Sequence, residues 1–226
     1  MNEKVTKWPE MPWDEVVDRV APAVCRIVVG ESQGTCFFIS LAKDNYQFIT
    51  GFVTAWHVLQ EIKIGSKEDI YIVSEDKKVI ADSKKDRIGF YRLETFDSAI
   101  IVVGSDRELY SKKDLLPIFP IDYVLARGAD IGWLGYPGLA DPDLCFFKGA
   151  VSGFRGSPPA YYVDGVAING VSGGPVFDNR AHIIGLVSSY IPNRLSEHTT
   201  LPGLLCVVPI NAVRYFFEHN LRCKVL

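Results

Sequence analysis

Residues 170 to 175 read Gly170-Val171-Ser172-Gly173-Gly174-Pro175. At background frequencies of about 7% for Gly and Ser and 5% for Pro, such a string arises by chance in roughly three of ten thousand chains this long. A turn before a strand needs one or two glycines. Three around one serine suit a tight bend that aims backbone N–H groups at a spot beside a nucleophile. A serine hydroxyl is a weak nucleophile at neutral pH and needs a base within hydrogen-bond reach. The chain offers four histidines. His182 stands beside the turn Asp178-Asn179-Arg180, His198 in a polar loop and His219 at the end of a helical segment, and these read as structural or exposed positions. His57 follows the apolar run Gln47 to Val53 in Thr54-Ala55-Trp56-His57-Val58, which would hold its ring at a strand end. Taken alone, His57 fits a structural role as well as a functional one. A histidine base in turn needs a carboxylate to set its tautomer. Asp97 opens the apolar run Asp97-Ser98-Ala99-Ile100-Ile101. Because a buried unpaired charge is costly, Asp97 is either exposed at the strand's end or paired inside. Glu94 is the nearest competing acid and lies outside that run.

These side chains need elements to carry them. Runs rich in Val, Ile, Phe and Tyr recur between Gly, Pro, Asn and Asp, a strand signal. They predict strands near 23–29, 35–40, 47–53, 69–74, 78–82, 88–93, 98–103, 129–135, 144–152, 160–164, 175–177, 182–189 and 203–209. So many short strands exclude a parallel α/β sheet and point to a sandwich or barrels. Trp13 to Val20 has helical spacing and ends at Pro22, and a second helix is expected over Ala212 to His219 with Val213, Phe216 and Phe217 on one face. The least patterned stretch, Gly104 to Arg127, separates two strand groups.

The chain is 226 residues long, 48% hydrophobic and 23% charged, which is ordinary for a globular protein. A net charge of −3 gives no electrostatic case for nucleic acid or an anionic membrane. No apolar stretch is long enough for a membrane helix. The five cysteines have no C-x-x-C pair and suit buried positions in a reduced protein. With no basic and apolar leader at the N-terminus, the expected location is cytoplasmic.

Together, the order His57, Asp97, Ser172 and the motifs Thr54-Ala55-x-His57-Val58, Asp97-x-Ala99 and Gly170-x-Ser172-Gly173-Gly174-Pro175 resemble the trypsin/chymotrypsin-like serine peptidases. The likeness is strongest to the bacterial stress-response type known as HtrA or Deg. It runs from Val16-Val17-Asp18-Arg19-Val20-Ala21-Pro22-Ala23-Val24 to Val208-Pro209-Ile210-Asn211 and includes Gly132-Trp133-Leu134-Gly135-Tyr136-Pro137-Gly138. The fold implied is all-β: two six-stranded antiparallel barrels with a short N-terminal and a C-terminal helix. The corresponding boundaries are an N-terminal segment over 1–22, a first barrel over 23–105, a linker over 106–127, a second barrel over 128–208 and a C-terminal helix and tail over 209–226.

The resemblance implies roles residue by residue. Ser172 attacks the scissile carbonyl, His57 takes and returns the proton, and Asp97 holds His57. The N–H groups of Gly170 and Ser172 form the oxyanion hole, and no metal or organic cofactor takes part. Ser188, Ser189 and Tyr190 pair with substrate backbone, Tyr190 narrows the primary pocket, and Gly203 lies in its opposite wall. Val166 occupies the pocket floor where trypsins carry an acid, which implies small or medium aliphatic P1 side chains. Three departures stand out. Val171 replaces the acid that pairs with a new N-terminus in digestive peptidases, Val58 replaces the cysteine that would bridge to Cys36, and no PDZ-like sequence follows Ile210. The resulting expectation is a serine endopeptidase acting on protein or peptide substrates, with a homo-oligomer or regulatory partner left open. The alternative is an inactive or gated peptide-binding module using the same cleft.

Overall fold

β-Branched and aromatic side chains fit a half-buried pleated surface, and the runs of such residues form strands. The computed structural model describes residues 9–43, 47–60, 69–93, 95–120, 124–194, 200–211 and 213–215. In it, β1 (Val24–Val29), β2 (Ser32–Lys43), β3 (Phe48–Thr54), β4 (Ile70–Val73), β5 (Val79–Asp82), β6 (Arg87–Leu93) and β7 (Ser98–Ser105) make one antiparallel sheet in the order β5-β4-β1-β2-β3-β7-β6. β8 (Asp130–Gly135), β9 (Cys145–Gly156), β10 (Pro159–Asp164), β11 (Pro175–Phe177), β12 (Ile183–Arg194) and β13 (Thr200–Pro209) close into a barrel in the order β10-β13-β12-β11-β8-β9. All thirteen expected strands are present.

The two barrel-like sheets differ in closure. The first has the seven strands read from the apolar runs, where the resemblance implied six, and it remains open between β5 and β6. Those strands stand at opposite ends of the sheet, yet only residues 83–86 join them, so the sheet must curl until its ends approach. Arg107 pins that corner, donating to the Asp86 carboxylate at 3.2 Å and to the Ile80 carbonyl at 3.0 Å.

Alternation along the second set of strands divides their side chains between two cores. Ile131, Trp133, Val176, Leu205 and Val207 fill the barrel, together with Val171 from the turn before β11. Leu134, Phe177 and Val208 point the other way and join one cluster with the first sheet. The helix α1 (Trp13–Val20) seals this shared cluster with Val16 and Val20, one turn apart on one face. Burying each valine contributes about 1.5–3 kcal/mol. Trp13 anchors the start of α1 on the barrel's outer face, 5.6 Å from the Phe146 ring and 6.3 Å from Phe177.

The stretch between the sheets also packs, with Leu116, Ile118 and Phe119 buried and the Phe119 N–H donating to the Ile183 carbonyl at 3.0 Å. Residues 211 and 213–215 are helical, and Phe216, Phe217 and the rest of the expected C-terminal helix lie outside the described residues. Among the described residues, no helix is long and apolar enough to cross a membrane.

Candidate active site

β3 and β7 are antiparallel neighbours with Thr54 opposite Ala99, so the end of β3 meets the start of β7. That register brings His57, in the short helical turn Trp56–Leu59, beside Asp97, in the turn ahead of β7. The carboxylate grips the histidine twice: Oδ1 accepts from the His57 backbone N–H at 3.0 Å, and Oδ2 lies 2.8 Å from Nδ1. A carboxylate can only accept, so Nδ1 carries the hydrogen and the neutral ring keeps an accepting lone pair on Nε2. Burial pushes the Asp97 carboxyl up, but hydrogen bonds from His57 and from Ser188 outweigh it and hold the group below the usual carboxylate range. Asp97 therefore stays ionised at neutral pH. The expected pairing of His57 with Asp97 is present in the geometry, and Glu94 lies outside the described residues.

Ser172 sits in the turn that enters β11. Gly170 and Gly173 have φ of +97° and +86°, a region that favours glycine. A side chain at either would also strike backbone: a Cβ on Gly170 would lie 2.2 Å from the Tyr136 carbonyl oxygen, and one on Gly173 2.2 Å from that of Thr35. The N–H groups of Val171, Gly173 and Gly174 donate to the carbonyls of Ile168, Val187 and Val171. Among the described residues, those of Gly170 and Ser172 donate to no protein acceptor. The Val171 side chain, fully buried, roots the turn in the barrel core.

Contacts across the cleft place this turn against the histidine-bearing segment. Thr35 on β2 donates its backbone N–H to the Ser172 carbonyl at 2.9 Å. A Cβ on Gly173 would lie 2.7 Å from the backbone nitrogen of Ala55, two residues before His57. No hydrogen bond joins Ser172 Oγ to the His57 ring among the described residues, and such bonds often tighten only once substrate is bound.

The residues expected to bind substrate divide into three. Ser188 is the extra residue of a bulge, since Val187 and Ser189 pair with consecutive residues Val207 and Cys206. The bulge re-aims its side chain, and the hydroxyl donates to Asp97 Oδ2 at 2.7 Å. This link from the second barrel to the first sheet's acid is absent from the sequence reading, which assigned Ser188 to backbone pairing. Ser189 is exposed at the cleft edge of β12, and the Tyr190 hydroxyl crosses to β13, accepting from the Gly203 N–H. Val166 corrects the expectation of a pocket floor, being 56% exposed on an irregular segment. The preceding Gly165 packs so tightly on Trp133 that a Cβ there would lie 2.3 Å from the ring. Of the other histidines, His182 is buried against Asp178, and His198 and His219 lie outside the described residues.

A family model described as a trypsin-like peptidase domain matches residues 34–186, a span that contains His57, Asp97 and Ser172. No curated protein sequence is significantly similar to the chain. Among solved structures, a serine endoprotease from Yersinia pestis has a TM-score of 0.65 at 16% identity, covering 95% of this chain and 68% of that one. Rv3671c from M. tuberculosis H37Rv, solved as an inactive serine-to-alanine mutant, gives 0.64 at 21% identity over 91% of each chain. The Rv3671c protease in an inactive form gives 0.65 at 19% identity over 92% of this chain and 95% of that one. At such identities the likeness is one of fold.

Proposed function

Because the chain belongs to the family of trypsin-like peptidase domains and is a serine endopeptidase, we propose that it cleaves peptide bonds through an acyl-enzyme on Ser172. Ser172 Oγ attacks the scissile carbonyl while His57 Nε2 takes its proton, and the imidazolium is stabilised by ionised Asp97. The proton then passes to the leaving amine, and water repeats the sequence to release the acid. The observation that carries this reading is the turn at 168–174, in which, among the described residues, the N–H groups of Gly170 and Ser172 are the two of 170–174 that donate to no protein acceptor. They are the donors for the developing oxyanion. Extended substrate pairs with the cleft edge of Ser188 to Tyr190 by strand addition.

The P1 preference is small or medium aliphatic. It is supported by the Tyr190 hydroxyl, which accepts from the Gly203 N–H and so ties the two expected pocket walls together; Val166, exposed, gives the pocket no floor and lends the preference no support. Motifs at both ends of the fold support an HtrA or Deg affiliation, and the free thiols of Cys25, Cys36, Cys145 and Cys206 suit a reducing, cytoplasmic setting. A fluorophosphonate probe tests the chemistry: labelling of the purified protein that disappears in Ser172→Ala is expected. Absence of Ser172-dependent labelling under all conditions would sink the mechanism. In a P1-profiled peptide library, cleavage after Arg or Lys would overturn the pocket assignment.

A further inference from the structure

We infer that Thr35 is a positioning residue, a rivet on the first sheet whose hydroxyl sets the orientation of the oxyanion-binding peptide on the second barrel. The inference rests on Ser172 as nucleophile. Thr35 is fully buried, and its N–H, its carbonyl and its hydroxyl, as donor and as acceptor, each make a hydrogen bond. Its N–H donates to the Ser172 carbonyl at 2.9 Å, and its own carbonyl accepts from Thr54 Oγ at 2.7 Å. Its hydroxyl donates to the Gly170 carbonyl at 2.8 Å and accepts from the Tyr136 N–H at 3.0 Å. Three of the four partners belong to the second half of the molecule, and Thr54 belongs to β3, three residues before His57.

The two hydroxyl bonds matter because of what lies between their partners. The Tyr136 to Gly138 segment runs against the turn: the Gly138 N–H donates to the Asn169 carbonyl at 2.8 Å, and Gly170 packs on the Tyr136 carbonyl. In a trans peptide, N–H and C=O point in opposite directions, so holding the Asn169 carbonyl aims the Gly170 N–H away from Gly138. Thr35 Oγ grips the Tyr136 and Gly170 ends of this arrangement at once. Turning either peptide flanking Gly170 breaks a bond to Gly138 or to Thr35. Threonine suits the task because its β-branch restricts χ1 and keeps the hydroxyl on station without a substrate. With apolar Val171 as the other anchor, the turn is set by buried neutral groups and needs no ion pair at its base.

Three variants test this against a general loss of fold. Thr35→Val keeps the shape and both backbone bonds but removes the hydroxyl, and Thr35→Ser restores it. Kinetics on a fluorogenic peptide with an aliphatic P1 residue should show kcat down about 10- to 100-fold in Thr35→Val, with KM within about threefold. Thr35→Ser should recover most of that loss. Hydrogen exchange should rise across residues 168–174 while β3 and β7 stay protected. A folded Thr35→Val protein with wild-type kcat and unchanged exchange in 168–174 overturns the inference, as does a loss confined to KM. If Thr35→Val does not fold, Thr35→Ala carries the same comparison with Thr35→Ser. Wild-type protein whose Ser172 never labels would remove the nucleophile reading instead, and exchange across 168–174 would still decide whether Thr35 holds the turn.

Discussion

Among the described residues, two histidine–aspartate pairs are built on one plan. In each, a carboxylate accepts from the histidine's own backbone N–H and from ring Nδ1: at 3.0 and 2.8 Å for Asp97 with His57, and at 2.9 and 3.2 Å for Asp178 with His182. Their surroundings differ. His182 and Asp178 are four residues apart in the turn joining β11 to β12, with side chains 5% and 6% exposed. His57 and Asp97 are forty residues apart at the meeting ends of two strands, with side chains 41% and 30% exposed. The first pair closes a turn. The second holds a half-exposed ring near the Ser172 turn, where the proposed mechanism uses its other nitrogen as the base. A two-point grip is therefore a general way to fix an imidazole, and its location decides whether it serves folding or chemistry.

Substitutions in the two pairs should separate these roles. Asp97→Asn should lower kcat/KM about 10⁴-fold by letting the ring adopt the wrong tautomer, while thermal unfolding barely moves. Comparable activity in Asp97→Asn and wild type would erase the distinction. Asp178→Asn should do the opposite. Asn keeps one oxygen for the Arg180 and His182 N–H groups but turns an amide N–H toward the buried His182 Nδ1, which should cost about 1–3 kcal/mol, a Tm drop of roughly 2–4 °C per kcal/mol, with kcat kept. A selective loss of kcat there would mean that His182 reaches the cleft.

The smallest expected effect is that of Ser188→Ala, at about tenfold in kcat/KM, since one bond to the charged acid is lost and the grip on His57 remains. The sign of its titration effect follows from Asp97. A depressed carboxyl stabilises the fold above its unfolded value of about 4 and loses that contribution as pH falls through the lower folded value. Removing the Ser188 bond takes away part of the depression, so the Asp97 carboxyl, followed by NMR, should titrate at higher pH than in wild type. An unchanged titration would show that Ser188 does not tune the acid.

Features carried by local pattern were legible in the sequence. The strands follow from alternation and apolar runs, and α1 follows from spacing with Pro22 behind it. The chance-defying string around Ser172 marked the turn, and the acid at the head of β7 marked Asp97. Features created by long-range pairing were hidden. The Ser188 hydroxyl reaches Asp97 because of a bulge, and bulges depend on how partner strands register. The segment before Val166 is held by the Trp133 ring against Gly165, far away in sequence, and Val166 itself is exposed. Thr35 looked like one more strand residue, since its partners at 54, 136, 170 and 172 become neighbours only after the halves dock.

That docking has a consequence for when the protein becomes reactive. Phe177, Ile183, Leu186 and Val208 belong to the same buried cluster as Phe37, Phe52 and Ile100, so the halves share one interior even though the second barrel also has a core of its own. The halves should therefore melt in one cooperative transition. Until both have closed on that common interior, the serine turn has no Thr35 to rest on and, on the proposed mechanism, His57 has no Ser172 to activate. On that mechanism an unfinished or damaged copy is disarmed, and hydrolytic power comes only with a fully folded molecule.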